Sequence, residues 1–198
     1  MWSYEKRLQY PVDIKTRDPK IAQIIMSQYG GPDGEIDASL RYLSQKYTMS
    51  NKRVAGLLND IGTEELAHLE IVGALVQQLT DGLSPEEIKA AGFDAYYVDH
   101  TLGIWPQAAG GIPQTALSFQ SKGDPITDLF EDLAAEQKAR TTYDNILRMV
   151  KDPDVCDVIK FLRSREIVHF QRFGEAIQLL REKLDQRNVY RMNPAIDM

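Results

Sequence analysis

Four glutamates and two histidines recur in this sequence at spacings that suit metal binding. Glu35 precedes Glu65 by 30 residues, and Glu136 precedes Glu166 by 30. His68 and His169 each follow the second glutamate of their pair by three, so the whole pattern repeats at an offset of 101 residues. A Glu and a His three apart share one face of a helix and can reach one point. Bundles that hold two metal ions use this donor set: one Glu from each of two helices and Glu-x-x-His from each of the others. Oxygen-rich donors with one imidazole per ion suit manganese or iron better than a structural zinc site. Either Glu-x-x-His alone is more often only a surface pair, since acids occupy 29 of 198 positions. The matched spacing of the two further glutamates sets these apart.

Presenting six such side chains at one height takes four helices, and the sequence carries four long helical patterns, over 19–48, 52–80, 124–150 and 153–186. Asp18-Pro19, Asp124-Pro125 and Asp152-Pro153 are start signals, with Asp as N-cap and Pro at the first helical position. Ser50 is the corresponding candidate for the second helix. Steps of three and four give an inward stripe on each helix. In the second it runs Leu58, Ile61, Glu65, His68, Val72, Leu75, Leu79; in the fourth, Val155, Ile159, Leu162, Glu166, His169, Phe173, Ala176, Leu180. The first gives Ile21, Ile24, Gln28, Gly31, Glu35, Ala38 and Tyr42, and the third Leu129, Leu133, Glu136, Arg140, Tyr143, Leu147 and Val150. Every stripe is therefore charged at one level. An ionised carboxylate in a bundle core is costly without a cation, which again points to metal.

The turns set the height. Residue 50 is midway between 35 and 65, and residue 151 is midway between 136 and 166. In two antiparallel hairpins each Glu then faces a Glu-x-x-His, roughly 22 Å from its turn at 1.5 Å per residue. The segment 81–123 is long for a connection and suits a crossover along the bundle between helices two and three, with a short helix starting at Ser84-Pro85-Glu86-Glu87. No sustained period-two alternation predicts a sheet. The expectation is one all-α four-helix bundle over 1–186, with an N-terminal arm (1–17), the crossover (81–123) and a tail (187–198). Gly30-Gly31-Pro32 and Gly34 predict a kink or bulge just before Glu35.

Tyr42, two turns after Glu35, is a core tyrosine whose hydroxyl needs a partner, and a ligand carboxylate is a natural one. His100 falls in the crossover and reads as a loop residue. Cys156 is the only cysteine, which excludes an internal disulfide, a cysteine zinc site and a four-thiolate iron site within the chain. A net charge of −6 and pI near 5.1 favour neither nucleic acid nor an anionic membrane as partner. No stretch has the length of a membrane span, and Met1 to Arg17 lacks the apolar region of a secretory signal, so the chain is not expected to be secreted.

At these residues the sequence resembles the manganese catalases, in particular the short catalase-like proteins of the spore coat. The matching segments are W-x-Y-E-K-x-L-Q-Y-P at Trp2 to Pro11, Gln28-Tyr-Gly-Gly-x-x-Gly-Glu35, Ile61-Gly-Thr-Glu-Glu-Leu-Ala-His-Leu-Glu70, Lys122-Gly-Asp-Pro125, Asp132-Leu-Ala-Ala-Glu136 and Arg165-Glu-Ile-Val-His169. They span roughly residues 1–185. The resemblance implies a ferritin-like bundle with two manganese ions that disproportionates hydrogen peroxide to water and oxygen. It places Glu35 and His68 on one ion, Glu136 and His169 on the other, and Glu65 between them. Glu166 would act in proton transfer beside the ions, whereas the repeat alone makes it a ligand; both roles stay open. Tyr42 matches a tyrosine that supports the centre.

As partners the resemblance implies peroxide, further copies of the chain in a homo-oligomer (a hexamer is one option) and spore-coat proteins, with a location in the spore coat or the cytoplasm. Two features depart from the family. Ala135 stands where some members carry arginine, which would leave a more open channel. The chain ends at Met198, without the long extension that embraces neighbouring subunits and contributes to a calcium site in larger members. Two other readings share these residues: a di-iron ferroxidase or oxidase on the same bundle, and a mainly structural spore-coat protein with a vestigial metal site.

Overall fold

The computed structural model describes residue 5, residues 7–97 and residues 103–184. His100 and the tail 187–198 lie outside the described residues, as do Trp2 and its immediate neighbours. Among the described residues six α-helices follow one another: α1 (Pro19–Gly30), α2 (Glu35–Gln45), α3 (Lys52–Thr80), α4 (Pro85–Ala91), α5 (Pro125–Met149) and α6 (Pro153–Leu184). There is no β-strand among the described residues, only two isolated bridges in the crossover, Tyr97 with Ile104 and Gln107 with Pro113. No helix among them is long and apolar enough to cross a membrane.

The local start signals act as read. Asp18 accepts hydrogen bonds from the backbone of Lys20 and Ile21, Asp124 from Thr127, and Asp152 from Asp154 and Val155. Each such cap stabilises its helix by about 1 kcal/mol. The cap of α3 is Asn51, which accepts from Arg53, and not Ser50. In the crossover Ser84 and Glu87 form the reciprocal capping box that opens α4.

The first long helix is fully interrupted where a kink was expected. The Gly31 amide ends α1 on the Ser27 carbonyl, and α2 restarts at Glu35. Glycine is required by close approach. A Cβ on Gly31 would stand 2.3 Å from the Ser27 oxygen, and one on Gly30 would stand 2.3 Å from the Gln107 amide of the crossover. The break also resets the helical phase. Ala22, Ile25 and Met26 form the buried face of α1, while Ile21 and Ile24 are half-buried. Carrying the stripe backwards from Glu35 as if the helix were continuous picked the neighbouring face.

The bundle proper is two antiparallel hairpins, α1/α2 with α3 and α5 with α6, with the crossover lying against α1 and α2. The stripes of α3 and α6 are buried throughout. On α5, Arg140 is half-exposed and bonds Asp144 at 2.7 Å, and Ala139 is the inward residue. The apolar core forms two clusters. One includes Ile25, Ile71, Leu75, Ile146, Ile159 and Phe93, and is joined by Leu8, Tyr10, Val12 and Ile14 of the N-terminal arm. The other centres on Tyr42, Leu58, Ile61, Leu129, Phe173 and Leu180. The charged layer sits between the two along the helices.

Candidate metal centre

Glu35 is the first residue of α2, Glu65 and His68 lie in mid-α3, Glu136 lies in mid-α5, and Glu166 and His169 lie in mid-α6. All six are at most 3% exposed. Their donor atoms form two overlapping groups, Glu35–Glu65–His68–Glu166 and Glu65–Glu136–Glu166–His169, within each of which the atoms lie within 4.8 Å of one another. The structure thus brings together every donor read from the sequence.

Glu65 is the centre of the arrangement. His68 Nδ1 lies 2.8 Å from its Oε2, and His169 Nδ1 lies 2.6 Å from its Oε1. The same two ring nitrogens stand 3.6 Å from Glu35 and 3.6 Å from Glu136 respectively. The two rings stack with centroids 5.6 Å apart. The lone glutamates are each held by a tyrosine of the opposite hairpin. Tyr42 donates to Glu136 Oε1 at 2.6 Å, as expected of a core tyrosine, and Tyr143 donates to Glu35 Oε1.

Burial dominates the electrostatics. It pushes the Glu35 carboxyl up to about 7 against the opposing pull of His68. Burial, then the charges of Glu136, Glu65 and Glu35, hold the Glu166 carboxyl well above its ordinary range. For Glu65 burial acts in the same direction, but the imidazoles of His169 and His68 overcome it and keep the carboxylate ionised. Burial would lower His68 and His169, and the surrounding glutamates raise both instead. These directions describe a site crowded with negative charge.

The donors fit two divalent ions. Four carboxylates carry the charge that two such ions neutralise, and the imidazoles supply the nitrogen donors. Glu65 Oε1, Glu136 Oε2, Glu166 Oε1 and His169 Nδ1 are buried without a hydrogen-bond partner. The last lies 2.6 Å from Glu65 Oε1 without hydrogen-bond alignment, the arrangement expected of donors aimed at a shared cation.

Four supporting residues had no site role in the sequence reading, which placed Tyr143 only on the inward stripe of its helix. Glu64, next to Glu65, places Oε2 3.0 Å from His169 Nε2 and Oε1 3.7 Å from His68 Nε2. Arg165 grips it at 2.7 and 3.3 Å, and Gln9 of the arm donates to it at 2.8 Å. The carboxylate thereby steadies the His169 ring from behind, the role that fixes ring orientation in metal sites, and sets a negative charge near that of His68. Tyr143 is the fourth. The offset of 101 carries Tyr42 onto Tyr143, so extending the repeat past the donors finds that residue; it sets Glu64 against the unlike Arg165 and gives no signal there.

The family model described as manganese containing catalase matches residues 1–191 of this chain. Protein CotJC of Bacillus subtilis is 50% identical over 190 residues, which covers 96% of this chain and all of that protein. The crystal structure of wild-type KatB, a manganese catalase from Anabaena, superposes with a TM-score of 0.83 at 30% identity, covering 98% of this chain and 87% of the other. A dodecameric thioferritin from Bacteroides fragilis shares the fold at a TM-score of 0.58 and 16% identity, over 86% of this chain and 92% of its own. Ferritin-like helices, a buried Glu/His centre and a match along nearly the whole sequence agree: the chain belongs to the manganese catalase family.

Proposed function

We propose that this protein is a dimanganese catalase that disproportionates hydrogen peroxide to water and oxygen. The observation that carries the reading is the pair of overlapping donor groups sharing Glu65 and Glu166. When bound, two manganese ions supply the two-electron redox capacity by which one peroxide is reduced to water and a second oxidised to oxygen. Glu35 and His68 would hold one ion and Glu136 and His169 the other. Glu65 would join them, since it is the glutamate that approaches both imidazoles at 2.6 and 2.8 Å.

Glu166 takes a different part. Its carboxyl is held well above the ordinary range, first by burial, and its Oε1 has no partner. A carboxyl poised in that way can give its proton to the departing oxygen and take one back from the incoming peroxide. Tyr42 and Tyr143 hold the outer oxygens of Glu136 and Glu35, leaving the other oxygen of each for the metal. Carried over from the resemblance, the setting is a homo-oligomer in the spore coat or the cytoplasm, with residues 1–186 as one folding unit and 187–198 as a tail.

Oxygen release from the manganese-loaded protein tests the reading. One oxygen per two peroxides is expected, with Glu166→Gln losing turnover while keeping its manganese. Iron uptake with oxidation of ferrous ion and no oxygen release would make the protein a ferroxidase. Assembly that persists in a metal-free Glu65→Ala variant, with no peroxide turnover in the wild type, would make it a structural coat component.

A further inference from the structure

The seam between α2 and α5 contains polar groups that the metal donors do not explain. On α5, Asp128, Asp132 and Glu136 recur at every fourth residue, all buried, so they stack along one helix face about 6 Å apart. Facing them on α2 are the buried Arg41, Tyr42 and Gln45. The outer end lies at an exposed loop. Asp128 accepts from the amides of Lys122 and Gly123 at 2.7 and 3.0 Å, and Gln45 donates to Ser121 Oγ at 3.0 Å. The inner end is the Tyr42–Glu136 hydrogen bond at the metal centre.

Between these ends, five buried polar atoms lack a hydrogen-bond partner: both carboxylate oxygens of Asp132, Gln45 Oε1, and Arg41 Nε and Nη1. Arg41 spends its remaining nitrogen on the carbonyls of Ser118 and Pro32, at 2.8 and 3.2 Å, and its Nη1 comes no nearer than 3.9 Å to Glu131. Burial holds the Asp132 carboxyl well above its ordinary range, and Gln45 and Arg41 are close enough to oppose that rise. Leaving one such group unpaired costs about 1–3 kcal/mol, more for a charged one, and native interiors meet the cost with ordered water making two to four hydrogen bonds. The other side of the centre contrasts with this. There Tyr143, which donates to Glu35, lies in an apolar cluster with Ile25, Met26 and Ile146.

We propose that the α2–α5 seam is a hydrated passage that admits hydrogen peroxide from the Ser121 loop to the Tyr42–Glu136 side of the metal centre, with Arg41 and Asp132 as its binding groups. Peroxide resembles water in offering two hydroxyl donors and two acceptor oxygens. Arg41 supplies donors, and Asp132 and Gln45 supply acceptors. Arg41 and Asp132 together match a small hydroxylic molecule that both donates and accepts. The assignment rests on the catalase reading.

The test combines two measurements on the manganese-loaded protein. A crystal structure that resolves solvent should show ordered waters bonded to Asp132 and Arg41; a dry seam overturns the proposal. Steady-state oxygen release should show Asp132→Leu lowering kcat/KM for peroxide tenfold or more, with kcat less affected and manganese content unchanged, and Asp132→Asn recovering most of the loss. Unchanged kcat/KM in both variants at full manganese overturns the passage and leaves the catalase standing. A wild type that releases no oxygen removes the catalase, and the passage with it. If Asp132→Leu fails to fold, Asp132→Asn and the solvent structure still decide.

Discussion

In one hairpin the helix bearing the lone glutamate runs unbroken from Pro125 to Met149, with Glu136 in its middle; in the other the equivalent helix is cut between Gly30 and Glu35, which becomes a helix start. Donor geometry survives that difference. Each lone glutamate meets the tyrosine that follows the other one by seven residues, and each imidazole meets Glu65. Symmetry fails at positions 64 and 165. There a repeated glutamate would have set two like charges together, and the chain instead pairs Glu64 with Arg165. The donors follow the repeat, whereas their support depends on the place where the repeat is broken.

The largest break is expected from Glu65, which both donor groups share. Glu65→Ala should leave less than about one manganese per chain and abolish oxygen release, as metal analysis would read. Retained binuclear occupancy would show that the hairpins do not depend on a shared ligand. Next, Glu166→Gln should cost about 10²–10⁴-fold in turnover with manganese retained, the scale of a lost proton-transfer group; metal loss instead would make Glu166 a ligand. Glu64→Gln should weaken manganese binding by about 10–100-fold, since it loosens His169 and removes the negative charge near His68. Arg165→Met should do less, because Gln9 and His169 still hold Glu64. Equal effects in a metal titration would place the support in the ion pair rather than in the carboxylate.

Smaller effects sharpen the symmetry. Tyr42→Phe and Tyr143→Phe each remove a hydrogen bond to a buried carboxylate, worth about 1.5–3 kcal/mol. Denaturant midpoints should fall alike if the broken helix leaves Glu35 as firmly placed as Glu136. The smallest expected effect is on pH dependence without metal. Glu35, pushed up to about 7, and Glu166, also raised, keep protons that the unfolded chain releases near pH 4.3. Stability therefore declines as pH rises from there through the folded values. The raised histidines act in the same direction, contributing fully below about 6.5 and less as pH rises. Glu65, lowered, contributes above its unfolded value and loses that contribution only in acid. The metal-free protein should melt a few degrees lower at about pH 8 than at about pH 5.5, and manganese should flatten the difference. A metal-free melting temperature that rises over this range would contradict the charge balance described.

Much of the site was legible because it rests on local and periodic signals. Asp-Pro caps mark the starts of α1, α5 and α6, and identical 30-residue spacings place the donors at one height. What escaped depends on tertiary detail. Adjacent glutamates at 64 and 65 differ only in which side of the seam each faces, and no local pattern separates them. Arg140 and Ala139 are both near the inward direction, and packing chose the small residue while the guanidinium turned to Asp144. The phase of α1 was lost at Gly31–Gly34, since a break there disconnects its stripe from that of α2.

Metal stoichiometry with electron paramagnetic resonance decides whether the two hairpins assemble one two-ion centre. About two manganese ions per chain are expected, magnetically coupled through the shared Glu65, with coupling lost in Glu65→Ala. A single ion per chain, or two ions without coupling, would contradict such a centre.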